Sequence, residues 1–185
     1  FMLLQSILQI LDWIASFFTM ALLARVLMQW SRAPFRNPLG EFVLAVTDWA
    51  VRPTRRFIPS AYGLDLAGLL LAWLTQIIFQ CILHALWGIP DLLAIGTILL
   101  LALIGVLRTG IYLLIGVVIV GALFSWVNPF APLAPLFNAL AHPFLRPLQR
   151  VIPPIGNVDL SPLVLLLILQ LLLGMLASLQ ISAFR

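Results

Sequence analysis

Arg52-Pro53-Thr54-Arg55-Arg56-Phe57-Ile58-Pro59 returns later in the chain as Arg146-Pro147-Leu148-Gln149-Arg150-Val151-Ile152-Pro153, and this recurrence decides how the rest is read. The register holds well beyond the octapeptide. At the same offset of 94 residues, Pro38-Leu39 meets Pro132-Leu133, Asp65-Leu66 meets Asp159-Leu160, and Gln76 meets Gln170; Trp30 meets Trp126 after a two-residue shift. One dipeptide could recur by chance, but an ordered series does not. The chain therefore reads as two tandem copies of one unit, 1–90 and 91–185.

Each copy carries two apolar runs: Met2–Trp30 and Leu64–Trp87, then Leu92–Trp126 and Leu160–Ile181. All reach the roughly 18–20 residues that a bilayer core of about 30 Å demands of a helix. Hydrophobic residues make up 63% of the chain and charged residues 9%, far from the roughly 45–50% and 25% of soluble domains. A soluble fold could not hide so much apolar surface, so lipid is the expected solvent. The first run is too long for a cleaved signal peptide and places Asp12 where that segment should be apolar, which makes it a retained span. The third run would extend about 50 Å at ~1.5 Å per residue, implying strong tilt, projection from the membrane, or a break near Thr109-Gly110. Gly88-Ile89-Pro90-Asp91 reads as a tight turn between the second and third spans.

Two crossings per copy return the chain to its starting side, so the copies are expected in parallel topology with both Arg-Pro connectors on one face. All ten basic residues are arginine, the formal charge is +4, and seven of them (Arg32, Arg36, Arg52, Arg55, Arg56, Arg146, Arg150) lie in the connectors. The positive-inside rule assigns that face to the cytoplasm of a bacterial inner membrane and leaves the termini and the Gly88–Asp91 turn outside. Charge this local argues against a nucleic-acid surface. The single cysteine, Cys81, excludes an internal disulfide.

Within the first connector, Leu39, Phe42, Val43, Val46, Trp49 and Ala50 share one helical stripe, while Glu41, Ala45, Asp48 and Arg52 share another. That is the pattern of an amphipathic helix lying at the interface, started by Pro38 and ended before Pro53. The second copy, Pro132 to Leu145, keeps the apolar stripe and is nearly uncharged, as suits deeper burial or a partner. The Arg-Pro element that follows has a structural reading, a proline-stiffened loop with Asp65 or Asp159 capping the next helix. It also has a functional one. Arg52, Arg56, Arg146 and Arg150 would form a duplicated patch for lipid headgroups or an acidic partner, because guanidinium forks bind phosphate bidentately.

Two pairs of polar residues inside the spans occupy equivalent positions of the two copies. Asp12 and Arg108 both precede their tryptophan by 18 residues and so share a depth; a salt bridge between the first and third spans is the plainest reading, with snorkelling or a transport role as alternatives. Gln76 and Gln170 lie near the midplane, where an interhelical hydrogen bond is expected and a permeation site is the minor alternative. His84 and His142 fall on opposite sides and cannot share a metal or haem. No nucleophile is paired with a base and no Gly-rich phosphate loop follows a strand, so neither catalysis nor a cofactor is expected.

The segments Trp126-Val127-Asn128-Pro129-Phe130 and His142-Pro143-Phe144-Leu145-Arg146-Pro147-Leu148-Gln149-Arg150-Val151-Ile152-Pro153-Pro154-Ile155-Gly156-Asn157-Val158-Asp159-Leu160-Ser161-Pro162, with Gln170, closely resemble the YggT family of small bacterial membrane proteins. The resemblance covers nearly the whole chain. The first copy departs from the pattern, with Ser60-Ala61-Tyr62-Gly63 in place of the Pro-Pro-x-Gly turn and Ala67-Gly68 in place of Ser-Pro. The resemblance implies an all-α integral membrane protein. It also implies an accessory role, since members and plastid relatives are associated with osmotic or potassium tolerance, division or nucleoid organisation, and cytochrome complex assembly. The expected function is a non-enzymatic scaffold whose connectors engage a membrane-protein partner or anionic lipid; a small ion channel or transporter is the alternative. The oligomeric state stays open.

Overall fold

The computed structural model describes residues 2–60, 62–87, 93–152 and 159–183. The Gly88–Asp91 turn and the residues from Pro153 to Val158 lie outside them. Six helices follow in order: α1 Met2–Trp30, α2 Pro38–Thr54, α3 Leu66–Trp87, α4 Leu93–Val127, α5 Ala134–Val151 and α6 Ser161–Ala183. The order is long, short, long, twice over. α1, α3, α4 and α6 are long and apolar enough to cross a bilayer. Large apolar side chains lie open on their outer surfaces, Leu171 at 70% and Met175 at 63% among them, which water would not tolerate and lipid does. The protein is an all-α, multi-pass membrane protein.

Local sequence explains the short helices, with one correction. Asn37 caps α2, its side chain accepting from the Gly40 amide at 2.8 Å, and Pro38 occupies the first turn, where its missing N–H costs nothing. Glu41 in the first turn and Arg52 in the last complement the helix dipole. Pro53, however, does not end the helix, which runs on to Thr54, and α5 runs through Pro143 and Pro147 to Val151. A proline removes one N–H but keeps its carbonyl, and that of Pro53 accepts from the Arg56 amide at 3.2 Å. Arg52-Pro53-Thr54 and the stretch from Arg146 to Val151 thus belong to the ends of α2 and α5, and in the first copy the turn begins only at Arg55. α4 is likewise unbroken across Thr109-Gly110, where the Thr109 hydroxyl donates to the Gly105 carbonyl at 2.9 Å.

α3 is held between α1 and α4; α2 lies on α1 and α3, α5 on α4 and α6, and α6 on α4 and α5. Within lipid this packing is driven by van der Waals fit and hydrogen bonds, because no water is released from apolar faces. Leu22, Leu23, Val51, Ala67, Ala72 and Val106 form one buried cluster. A second joins the two halves, bringing Leu27, Met28 and Ala33 against Val117, Leu136, Leu140 and Ala141. Trp30 and Phe144 approach with ring centroids 5.7 Å apart, so both connectors sit at the same end of the bundle.

Candidate functional site at the connector end

A buried polar cluster ties the first connector to its spans. Arg25 on α1 is 4% exposed, and its Nη1 donates to Thr47 Oγ1 at 2.9 Å and to Asp48 Oδ1 at 2.7 Å on α2. Its Nε lies 3.6 Å from Asp65 Oδ2, at the start of α3. Thr47 is free to accept because its own hydroxyl proton goes to the Val43 carbonyl at 2.7 Å. Asp65, fully buried, also receives a bidentate fork from Arg55, Nε at 3.2 Å and Nη2 at 2.7 Å, and accepts from the Gly68 amide at 3.3 Å in a capping bond. Arg55 Nη2 further donates to Gln29 Oε1 at 2.7 Å. The cluster satisfies the rule that buried charge is paired and hydrogen-bonded. Burial pushes the Asp48 carboxyl up, but hydrogen bonds and charge from Arg25 and Arg52 outweigh it, and the net pKa is lowered.

The four arginines singled out by the repeat divide. Arg52 pairs with Asp48 at 2.7 Å one turn back on α2, its side chain 77% exposed. Arg56, Arg146 and Arg150 are exposed, as are Arg32 and Arg36, and none of these five makes an ion pair among the described residues. In the second copy Gln149 replaces Arg55, its Nε2 donating to Asp159 Oδ2 at 2.7 Å, while the Ser161 amide donates to Asp159 Oδ1 at 2.8 Å. Burial raises the Asp159 pKa, and Ser161 with Gln149 more than reverse it, so the net shift is downward.

The intramembrane residues are not brought together. Arg108 Nη1 faces Gln180 Oε1 on α6 at 3.5 Å, and no ion pair joins it to Asp12 among the described residues. Gln76 is buried and donates to Thr19 Oγ1 on α1 at 3.1 Å. Gln170 is exposed on α6. Equal depth on two helices does not fix the direction each side chain takes around its axis, which is why the Asp12–Arg108 pairing fails. Arg25 is the residue that sequence reasoning passes over, although the cost of charge in an apolar span flags it as it flags Arg108.

Two apolar clefts flank the junction of the halves. One of about 290 Å³ is lined by α1, α2, α4 and α5, with Phe17, Phe42, Val117 and Leu140 among its walls. The other, about 310 Å³, opens near Trp30, Leu64 and Phe144. Among the described residues no three His, Cys, Asp or Glu side chains gather.

A model of the CCB3/YggT family matches residues 4–86 and again 100–180. The chain is 34% identical over 165 residues to YggT of Escherichia coli, covering 88% of this chain and 85% of that one. It is 33% identical over 165 residues to a Pseudomonas aeruginosa protein, covering 88% and 84%. With a Vibrio alginolyticus protein of the proC 3′ region it shares 32% over 154 residues, 83% of each chain. No solved structure matches significantly. With a family model matched in both halves and bacterial relatives aligned along most of their length, the chain belongs to the CCB3/YggT family.

Proposed function

We propose that the protein is a non-enzymatic accessory or scaffold component of the bacterial inner membrane, engaging anionic lipid or an acidic membrane-protein partner through its connector end. The supporting observation is the division among the arginines. Arg25, Arg52 and Arg55 are taken up by Asp48 and Asp65, whereas Arg32, Arg36, Arg56, Arg146 and Arg150, at the same end of the bundle, are exposed and have no acidic partner among the described residues. Fixed guanidinium groups at that level suit phosphate or carboxylate ligands. In this reading the copies are parallel, the connectors cytoplasmic and the termini outside. The transport alternative gains no comparable support, since Gln76 is bonded to Thr19 and Arg108 faces Gln180.

The test replaces Arg56, Arg146 and Arg150 together by Gln, leaving the Arg52–Asp48 pair intact. At about 1 kcal/mol per arginine near an anionic leaflet, association with phosphatidylglycerol-rich nanodiscs or with crosslinked native partners should weaken by several kcal/mol. A variant that inserts normally and keeps its lipid profile and partners overturns the proposal. Cysteines at Gly63 and Asn157 should be labelled only from the cytoplasm, and one at Ile89 only from outside.

A further inference from the structure

Gln76 and Gln170 occupy equivalent positions in two helices whose surroundings differ. Gln76 shows what the position requires. It is 5% exposed, donates to Thr19 on α1, and lies so close to α4 that a Cβ on Gly105 would stand 2.7 Å from its Oε1. Two helices therefore cover it, one supplying a hydroxyl and the other the space left by a glycine. Gln170 has neither. The residue corresponding to Thr19 in the Trp30–Trp126 register is Ile115, which has no hydroxyl to offer. α3 is packed between α1 and α4, but α6 rests on α4 and α5 alone among the major contacts, and 11% of its span is buried against 33% for α3.

Gln170 thus stands about 14 Å into α6, near the bilayer midplane, exposed and with no hydrogen bond among the described residues. An amide facing hydrocarbon is costly. Leu165 and Leu169 mark the face of α6 turned to α4. Gln170, Gly174, Ala177 and Ser178 are all exposed and share a second face, at i, i+4, i+7 and i+8, with Gly174 and Ser178 about 140–180° and Gln170 about 100–140° round the helix from Leu165 and Leu169. A Cβ on Gly174 would meet nothing within 4 Å.

We propose that this face of α6 is covered by α6 of a second copy of the chain, forming a two-fold dimer centred on Gln170 and Gly174. The occupant follows from self-complementarity. A carboxamide both donates and accepts, so two Gln170 side chains related by a two-fold axis satisfy each other. The small residues let the backbones approach closely enough for that bond. The assembly restores to Gln170 the cover that Thr19 and Gly105 give Gln76, and it goes beyond the connector-end function without depending on it.

Cysteine crosslinking in native membranes tests this, in a Cys81→Ala background. Gly174→Cys should form a disulfide-linked dimer under mild oxidation. Leu172→Cys, exposed but about 160° round the helix, should not. In nanodiscs or detergent, Gln170→Leu should weaken dimerisation by about three- to tenfold, the worth of one interhelical hydrogen bond in lipid. This substitution makes the span more apolar, so insertion is preserved. Equal crosslinking at both positions, none at Gly174→Cys, or a dimerisation constant unchanged by Gln170→Leu overturns the proposal.

Discussion

The two halves hold their connector helices by different physics. In the first, α2 is pinned by charge: Arg25 reaches Thr47, Asp48 and Asp65 at once, and Arg55 grips Asp65 from outside. The corresponding residues of the second half are Gly121, Ala141, His142, Asp159 and Gln149, so neutral donors, the Gln149 amide and the Ser161 N–H, replace the guanidinium groups at Asp159. α5 is held instead by shape. Phe137 packs against Phe124 and Phe144 against Trp30, each pair tilted with centroids 5.7 Å apart, and Leu136 and Leu140 fill the seam between the halves. A charge network has one geometry, whereas an apolar seam tolerates sliding and repacking. The duplicated unit thus contains one fixed connector and one adaptable connector, and the exposed Arg146 and Arg150 lie on the adaptable one.

Substitution at the centre of the network should produce the largest difference. Arg25→Met leaves Asp65 buried with one cation and Asp48 with only the exposed Arg52, a loss of about 3–5 kcal/mol. Its counterpart Gly121→Ala places a Cβ at ordinary contact distance from Phe137, 3.8 Å away, and should range from neutral to about 1 kcal/mol stabilising. Thermal or denaturant unfolding in matched detergent separates the two. Similar losses at both sites would remove the contrast.

Next in size are the capping aspartates. Asp65→Asn breaks contacts to two guanidinium groups and should cost about 3 kcal/mol, while Asp159→Asn retains shape and some hydrogen bonding and should cost about 1 kcal/mol or less. A double-mutant cycle of Asp65→Asn with Arg55→Gln should show coupling, and one of Asp159→Asn with Gln149→Ala much less. Weaker still is the midplane contrast. Thr19→Val should cost about 0.6–2 kcal/mol by orphaning Gln76, whereas Ile115→Thr in the second half, with Gln170 exposed, should leave the isolated monomer nearly unchanged.

The spans and the order of long and short helices were legible because both are one-dimensional patterns: apolar length and the placing of polar connectors between the runs. The amphipathic connector was legible from its stripe. Its end was not, because a proline marks a helix end only where the lost N–H cannot be spared, and α2 runs one residue past Pro53. The site was half legible. The exposed arginines stood out by repetition, yet Arg25 lay within a long apolar run, and its partners Asp48 and Asp65 belong to different helices. Asp12 and Arg108 show the converse error, since matched depth says nothing about azimuth.

Acid should expose the same contrast at its finest. Asp48 and Asp159 both have lowered pKa values in the folded chain, so their contribution is complete above the ordinary carboxylate pKa and is lost as pH falls through the lowered value. The causes differ, and salt distinguishes them. Asp48 is charged against Arg25 and Arg52, the latter 77% exposed and open to screening, whereas Asp159 is held by the neutral donors Ser161 and Gln149. Unfolding midpoints measured from pH 5 downward should therefore fall less steeply in Asp48→Asn than in wild type. Added salt should reduce the wild-type acid loss attributable to Asp48 and leave that attributable to Asp159 nearly untouched. An acid profile of Asp48→Asn that overlays wild type would show that α2 is pinned by Asp65 alone. The charge-held connector would then rest on Arg25 and Arg55 converging on one carboxylate, with the α2 end of the network contributing geometry but little energy.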